Sequence, residues 1–119
     1  MQKKRITSTY INSVIDKAER NLESCFSILD PAHPNKGAEI LSFQPRLLSC
    51  LAEAEAVYRE IMQERRALID RKAGLSAAWF RRRMAKLDQY RKCLKMIFGA
   101  GRTIGDGFAW IFYRNERDS

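Results

Sequence analysis

The stretch Pro45–Lys72, "PRLLSCLAEAEAVYREIMQERRALIDRK", decides the fold class of this chain. Its apolar residues recur at intervals of three and four, which is the spacing of one face of an α-helix. These residues are Leu47, Leu48, Leu51, Ala54, Tyr58, Ile61, Met62, Leu68 and Ile69. Pro45 suits the first turn of a helix and Gly74 is a stop signal, so we predict one long amphipathic helix over 45–72. Arg65 falls on the apolar row and is expected to have a salt-bridge or other polar partner.

A helix is also predicted upstream, over 6–29. Two rows of apolar residues repeat there at intervals of seven, with two further apolar residues between them. The rows are Ile11, Ala18 and Cys25, and Ile15, Leu22 and Leu29; Val14 and Phe26 lie between. Asp30-Pro31 ends this helix, because proline disfavours helical geometry in the residue before it. We therefore expect a loop over 30–37, "DPAHPNKG", and a separate short turn over 38–43 before the long helix.

A third helix is predicted from the N-cap residue Ser76 to about Phe98. Its stripe consists of Phe80, Met84, Leu87, Leu94 and Phe98, widened by Trp79, Tyr90 and Ile97. No run alternates with a period of two between hairpin turns, so a sheet is not expected. The predicted fold class is all-α, an antiparallel bundle of three to four helices.

Length and composition agree with one globular domain over 1–119. Apolar residues are 45% and charged residues 30% of the chain, which is ordinary for a folded protein. No apolar run approaches the roughly 20 residues of a membrane span, and the N-terminal sequence lacks the hydrophobic block of a signal peptide. We therefore expect a cytoplasmic protein with no membrane partner.

The segment Gly99–Tyr113, "GAGRTIGDGFAWIFY", follows the third helix. Its G-x-G is a poor match to a phosphate-binding loop, because no strand precedes it and no Lys-Ser or Lys-Thr pair is present. We predict that Gly99 is a left-handed cap, and that Thr103 or Asp106 caps a final helix over 103–117. Gly101 and Gly105, four residues apart, would let this helix pack closely against another.

The final helix is apolar on nearly every side, whereas a small bundle covers one side. Either Trp110 and Tyr113 fold back over the loop 30–37, or another chain or a further domain covers the segment. The second explanation makes 103–117 a docking helix. Its protein-interaction residues would be Phe108, Trp110, Phe112 and Tyr113.

The net charge of +8 is concentrated in one stretch, residues 59–95, which holds twelve Lys or Arg against four Asp or Glu. The predicted basic surface consists of Arg81, Arg82, Arg83, Lys86, Lys92 and Lys95. Such a surface attracts phosphate or an acidic protein surface alike. Helical projection spreads these charges over most of the non-core face, and it places Phe80 and Tyr90 on the core stripe rather than where bases would stack.

The inventory of reactive residues does not indicate catalysis. His33 is the single histidine and lies between two prolines without an evident partner. Cys25, Cys50 and Cys93 are odd in number, far apart and without a C-x-x-C pair, so we expect buried reduced thiols rather than disulfides or a zinc site.

A magnesium site formed by two glutamates is the one alternative to a chain without reactive groups. Glu60 and Glu64 are one helical turn apart, but Arg59, Arg65 and Arg66 surround them and favour ion pairs. We expect no metal, no cofactor and no enzymatic activity.

The sequence therefore favours a non-enzymatic module for protein interaction, oligomerisation or regulation. Its partner would be another protein or a second copy of the chain. The alternative is a nucleic-acid-binding helical module that uses the basic stretch 59–95.

Overall fold

The computed structural model describes residues 7–30 and 36–118, with the side chains of 7–30 and 38–111. All regular structure in these ranges is helical: α1 (Ser8–Leu29), α2 (Lys36–Asp70), a short 3₁₀ turn (Lys72–Gly74) and α3 (Ala77–Asp118). The three α-helices pack against one another. The predicted all-α class is confirmed.

Two contacts show that α2 and α3 lie antiparallel. Glu64 of α2 meets Arg83 near the start of α3, whereas Leu51 of α2 meets Gly101 much further along α3. Later residues of α3 therefore contact earlier residues of α2. The short connection over 71–76 imposes this arrangement, because it leaves no room for a return crossing.

α1 packs beside the end of the α2–α3 pair that is remote from this connection. Asn21 Nδ2 donates to Cys50 Sγ at 3.3 Å, and the Leu29 side chain lies against Gly107. The helices α1, α2 and α3 have 22, 35 and 42 residues, or about 33, 52 and 63 Å at 1.5 Å per residue. α1 therefore covers part of the pair, and the rest extends beyond it in a rod of 65 × 28 × 22 Å.

One hydrophobic core runs through the bundle. On α1 this core includes both predicted rows except Leu29, which is half-buried; Ile11 and Cys25 are fully buried. The other buried apolar residues are Val14, Ile15, Ala18, Leu22, Ile28, Ile40, Leu47, Cys50, Ala54, Val57, Ile61, Leu68, Leu87, Tyr90, Leu94, Ile97, Ile104 and Phe108. Three residues that were predicted on core rows, Phe26, Leu48 and Ile69, are exposed instead.

Side chains cap the starts of α1 and α3, and the cap at Ser76 was predicted from the sequence. Thr7 caps α1, where its side chain accepts from the backbone N–H of Tyr10. Ser76 precedes α3, and its Oγ accepts from the backbone N–H of Trp79 at 3.4 Å. Asp30 is the C-cap of α1, as predicted from the following proline.

The predicted boundary at Pro45 is wrong, because α2 begins at Lys36 and includes Pro45 in its interior. The separate turn over 38–43 is absorbed into the same helix. Ile40 and Leu47, on either side of the proline, are both buried in the core. Pro45 itself is exposed, on a side where water can satisfy the carbonyl that loses its N–H partner.

The predicted break at Gly99 is also wrong. α3 continues through the glycine-rich stretch to Asp118, so 103–117 is part of α3 and not a separate helix. Gly99 has no left-handed backbone. Core residues before and after it, Leu94 and Ile104, are fully buried on one continuous helical face, which holds the stretch helical in spite of its low propensity.

The close helix packing predicted for two glycines holds for one of them. Gly101 packs against Leu51, but Gly105 faces open space, and Gly107 makes the second close approach, to Leu29.

Candidate interaction surfaces

The basic stretch 59–95 forms one physical end of the rod. We call these residues the basic hairpin: they comprise the end of α2, the 3₁₀ turn and the first part of α3. Much of this hairpin extends beyond α1. The excess of positive charge in one stretch of the sequence thus lies at one end of the folded molecule. In the sequence outside this stretch, positive and negative residues are equal in number.

Part of the charge in the hairpin is used to hold its two helices together. Arg83 Nε donates to Glu64 Oε1 at 2.8 Å, and Arg83 Nη2 donates to Glu64 Oε2 at 3.0 Å. Both side chains are largely buried, with 17% and 15% of their surface exposed. This bidentate pair is a charge-assisted interaction across α2 and α3. Arg83, predicted as a surface cation, is therefore part of the helix interface.

A second ion-pair group lies one to two turns further along α3. Arg65 Nε donates to Asp88 Oδ1 at 3.1 Å, and Arg91 Nε lies 3.6 Å from the same oxygen. The salt bridge expected for Arg65 is thus present. Asp88 lies between two guanidinium groups, which share one carboxylate between α2 and α3.

The other predicted basic residues point outwards. Arg81, Arg82, Lys86, Lys92 and Lys95 are all exposed. Within the described part of the chain, no carboxylate pairs with Arg82, Lys86, Lys92 or Lys95, and Arg81 Nε donates to the carbonyl of Ala77. These five residues, together with the exposed Arg66 of α2 and Arg71 of the connection, supply the uncompensated positive field of the hairpin.

The aromatic rings of the hairpin are not exposed in a way that would let nucleic-acid bases stack on them. Tyr90 is buried in the core. Phe80 is half-buried, and Lys72 Nζ lies 5.5 Å from the centre of its ring. Trp79 is half-buried against the core cluster. The hairpin is thus cationic on its surface and aromatic beneath it.

The predicted aromatic docking residues separate in the structure. Phe108 is fully buried in the core, so its side chain is not part of any exposed surface. Trp110, two residues later, is 62% exposed. Ile111 is half-buried against the core. The side chains of Phe112 and Tyr113 lie outside the described residues.

α2 carries a second apolar stripe, which the sequence interpretation did not separate from the core. Leu41 and Leu48 are 66% and 60% exposed. Pro45 and Ala52, at the intervening helical spacing, are exposed as well. We call these four residues the outer stripe of α2. Spacings of four, three and four place them on one side of the helix.

Of the two glutamates considered for a magnesium site, Glu64 has a structural partner. Both carboxylate oxygens of Glu64 accept from Arg83, whereas Glu60 is exposed. Among the described residues, no cluster of three or more His, Cys, Asp or Glu has the arrangement of a metal site. His33 and most of the loop 30–37 lie outside those residues.

The cysteines differ in exposure. Cys25 and Cys50 are buried, and Cys93 is partly exposed. Burial raises the pKa of the Cys25 thiol above its ordinary value, and Cys50 raises it further. Cys25 is therefore protonated at neutral pH, as expected of a thiol in an apolar core.

Among the described residues, no helix is both long enough and apolar enough to span a membrane. No protein-family model matches the chain, and comparisons with curated proteins and with solved structures find no significant match.

Proposed function

We propose that this chain is a non-enzymatic interaction module that binds an acidic protein surface through the basic hairpin. One observation carries the proposal: the whole charge excess of the chain lies in one hairpin, and exposed cations such as Arg82 and Lys86 have no carboxylate partner in the described part of the chain. A field of this kind steers an oppositely charged partner to one end of the rod.

The arrangement of the hairpin supports an electrostatic docking role. Its interior is fixed by the Glu64–Arg83 and Arg65–Asp88 pairs, so the exposed cations stand on a rigid support. Preorganised charges lose less conformational entropy on binding than charges on a flexible tail. Trp110 at the opposite end supplies a separate apolar contact, because an exposed tryptophan is a frequent anchor in protein interfaces.

Nucleic acid is the second candidate partner. The same exposed cations favour phosphate contacts, which are independent of sequence and sensitive to salt. The burial of Tyr90 and the half-burial of Phe80 argue against binding of single strands by base stacking. Duplex backbone is thus the form of nucleic acid that the hairpin fits.

Fluorescence anisotropy tests the two partners against each other. The probes are a labelled polyglutamate peptide, a labelled DNA duplex and a labelled single strand, each at low and at physiological salt. We expect the peptide to bind, and binding to weaken as salt rises. Micromolar duplex binding that survives physiological salt, with a weaker peptide, would instead establish the nucleic-acid module.

A matched pair of variants assigns the binding to the hairpin. Arg82→Glu with Lys86→Glu reverses two exposed cations of the hairpin, and we expect it to abolish peptide binding. Arg20→Glu with Arg102→Glu makes the same change in net charge at exposed sites outside the hairpin, and we expect it to retain most of the affinity. Equal losses in the two variants would mean that net charge alone is responsible, and would reject the hairpin as the surface.

A further inference from the structure

We infer that the acidic surface bound by this chain is an amphipathic helix, which docks in a groove between α2 and α3 on the side of the pair that faces away from α1. This inference rests on the proposed function and deepens it, because it names the form of the acidic partner and the place where it binds. It is carried by contacts across the α2–α3 seam and by the cations that border this seam.

One ion pair fixes which sides of α2 and α3 meet at the seam. Arg65 Nε donates to Asp88 Oδ1 at 3.1 Å. Met62 and Ile69 are three residues before and four residues after Arg65, so they lie on the same side of α2 as Arg65 does. Met84 is four residues before Asp88 and lies on the corresponding side of α3. These three apolar side chains therefore border one seam.

An aromatic pair continues the seam towards the middle of the rod. The rings of Tyr58 and Phe98 meet edge to face, with 5.7 Å between their centroids. Tyr58 is seven residues before Arg65, so it lies on the seam side of α2. The hairpin groove, as we call it, consists of Tyr58, Met62, Ile69, Met84 and Phe98. Ile69 is 47% exposed and the other four are half-buried, so the groove is apolar and partly open to solvent.

α1 packs against the other side of the α2–α3 pair. Its Leu29 side chain contacts Gly107, which is nine residues beyond Phe98 and therefore about 180° around α3. Lys17 Nζ of α1 lies 3.7 Å from Glu53 Oε2. Glu53 is five residues before the tyrosine of the groove, which places it about 140° around α2. α1 therefore leaves the hairpin groove uncovered.

Cations border the hairpin groove on both helices. Arg66, on the α2 border, is four residues after Met62 and three residues before Ile69. The α3 border carries Arg81, Lys92 and Lys95. All four cations are exposed, and none of them has a carboxylate partner in the part of the chain that the structure describes. The borders are thus prepared for negative charge on the occupant.

The seam itself has an excess of positive charge. Arg65 and Arg91 share the one carboxylate of Asp88, and Arg91 Nε is buried without a hydrogen-bond partner among the described residues. Two guanidinium groups against one carboxylate leave one positive charge between α2 and α3. Charge complementarity therefore selects an acidic occupant, whose apolar residues lie on the face that meets the groove.

The walls of the groove favour a helix over an extended peptide. Both walls are helices whose backbone groups are paired within each helix, so an extended peptide would gain no main-chain hydrogen bonds there. A helical peptide pairs its own backbone and presents only side chains to the groove. The groove extends for about 17 Å from Tyr58 to Ile69 and for about 21 Å from Met84 to Phe98, at 1.5 Å per residue. This length accommodates about three to four turns of helix.

Fluorescence anisotropy with two labelled peptides and the full chain tests the groove. Both peptides have about 14 residues, the length of four helical turns, and both have the same composition of Leu and Glu. In the first peptide the leucines recur at intervals of three and four and form one face; in the second they are spread around the helix. We expect the first peptide to bind at least about tenfold more tightly than the second, and to gain helical circular dichroism on binding.

A matched pair of variants tests the location. Ile69→Ser removes the most exposed apolar side chain of the groove, and it should reduce the preference for the first peptide to below about threefold. Because Ile69 is exposed, the helical circular dichroism of the chain should not change. Leu41→Ser is the control, because Leu41 is also an exposed apolar residue of α2 but lies outside the groove. It should retain the full preference.

The outcomes separate this inference from the proposed function. Equal affinity of the two peptides, a preference that survives Ile69→Ser, or an equal loss in Leu41→Ser would overturn the groove. If polyglutamate binds and the two peptides do not differ, the groove alone is rejected and the acidic partner stands. If neither polyglutamate nor either peptide binds, the proposed function fails and this inference fails with it.

Discussion

Gly101 of α3 lies directly against Leu51 of α2, so that a Cβ atom at position 101 would stand 2.8 Å from Leu51 Cδ2 and 2.9 Å from Leu51 Cδ1. These distances are shorter than real Cβ contacts permit. The glycine therefore sets how closely α2 and α3 approach in the middle of the bundle. Gly99 and Gly105 of the same helix have open space where a Cβ would be.

The first prediction uses this difference. Gly105→Ala should stabilise the fold by up to about 1 kcal/mol, because alanine is the better helix former and meets no neighbour. Gly101→Ala has the same helical advantage, but its methyl group must displace the end of the Leu51 side chain, which offsets at least part of that gain. Denaturant titration should therefore find Gly101→Ala less stable than Gly105→Ala. Adding Leu51→Ala to Gly101→Ala should recover part of the difference, and strict additivity of the two changes would refute the close contact.

The second prediction concerns the Glu64–Arg83 pair. Glu64→Gln keeps the shape of the side chain but removes the charge opposite a largely buried guanidinium, so we expect a loss of about 1.5–3 kcal/mol in the free energy of unfolding. Glu55 and Arg59 form the control, an exposed i,i+4 pair at 2.7 Å. Glu55→Gln should cost at most about 0.5 kcal/mol. Chemical denaturation measures both, and equal effects would show that burial does not strengthen the cross-helix pair.

The third prediction separates Phe108 from Trp110. Phe108→Ala removes a fully buried ring and should destabilise the fold by about 3–5 kcal/mol. Trp110→Ala changes an exposed side chain and should cost less than about 1 kcal/mol. Thermal unfolding followed by circular dichroism compares the two variants. Severe unfolding in Trp110→Ala would mean that the tryptophan is needed for the fold and is not a docking residue.

The fourth prediction concerns thiol reactivity and its dependence on pH. The pKa of Cys25 in the folded chain is raised above the ordinary value of 9.0. At pH 8 the folded chain therefore has a smaller fraction of Cys25 thiolate than the unfolded chain has. Iodoacetamide should therefore modify the partly exposed Cys93 first and Cys25 last, as read by mass spectrometry of the peptides. Denaturant should remove the difference. Rapid modification of Cys25 in the folded chain would show that the α1–α2 contact opens readily.

The raised pKa of Cys25 also changes the free energy of unfolding at alkaline pH. Between pH 9.0 and the higher folded value, the unfolded chain has lost the thiol proton and the folded chain has kept it. The free energy of unfolding therefore falls as pH rises through this window. Cys25→Ala should show a shallower fall above pH 9.0 than the unchanged chain, and parallel curves would contradict the assignment to Cys25.

Much of the fold was predictable because the heptad rows of α1 are unambiguous. The charged residues of α1 lie on the side opposite the row of Ile11, Ala18 and Cys25, so the sequence indicates one orientation of that helix. They are Asp16, Lys17, Glu19, Arg20 and Glu23. α2 was harder. Leu47 and Leu48 are both apolar and adjacent, and helical spacing alone fits either one to the core. Only the packing of α1 and α3 decides that Leu47 is buried and Leu48 exposed.

Local signals failed where tertiary contacts outweighed them. Pro45 and Gly99 are ordinary helix boundaries by their chemistry. In both places buried residues on each side lie on one continuous face, and their burial maintains the helix across the weak position. The basic hairpin was visible in the sequence as a charge block. The ion pairing of Arg83 with Glu64 was not, because it joins residues that the sequence separates by nineteen positions.

The uninterrupted path of α3 gives the rod a mechanical property. This helix of 42 residues runs from the basic hairpin to the opposite end of the bundle, a span of about 63 Å. Over that length a tilt of about 5° at one end displaces the other by about 5 Å, as in a lever. The hairpin and the region of Trp110 are therefore two ends of a single helix, and a tilt of that helix moves both.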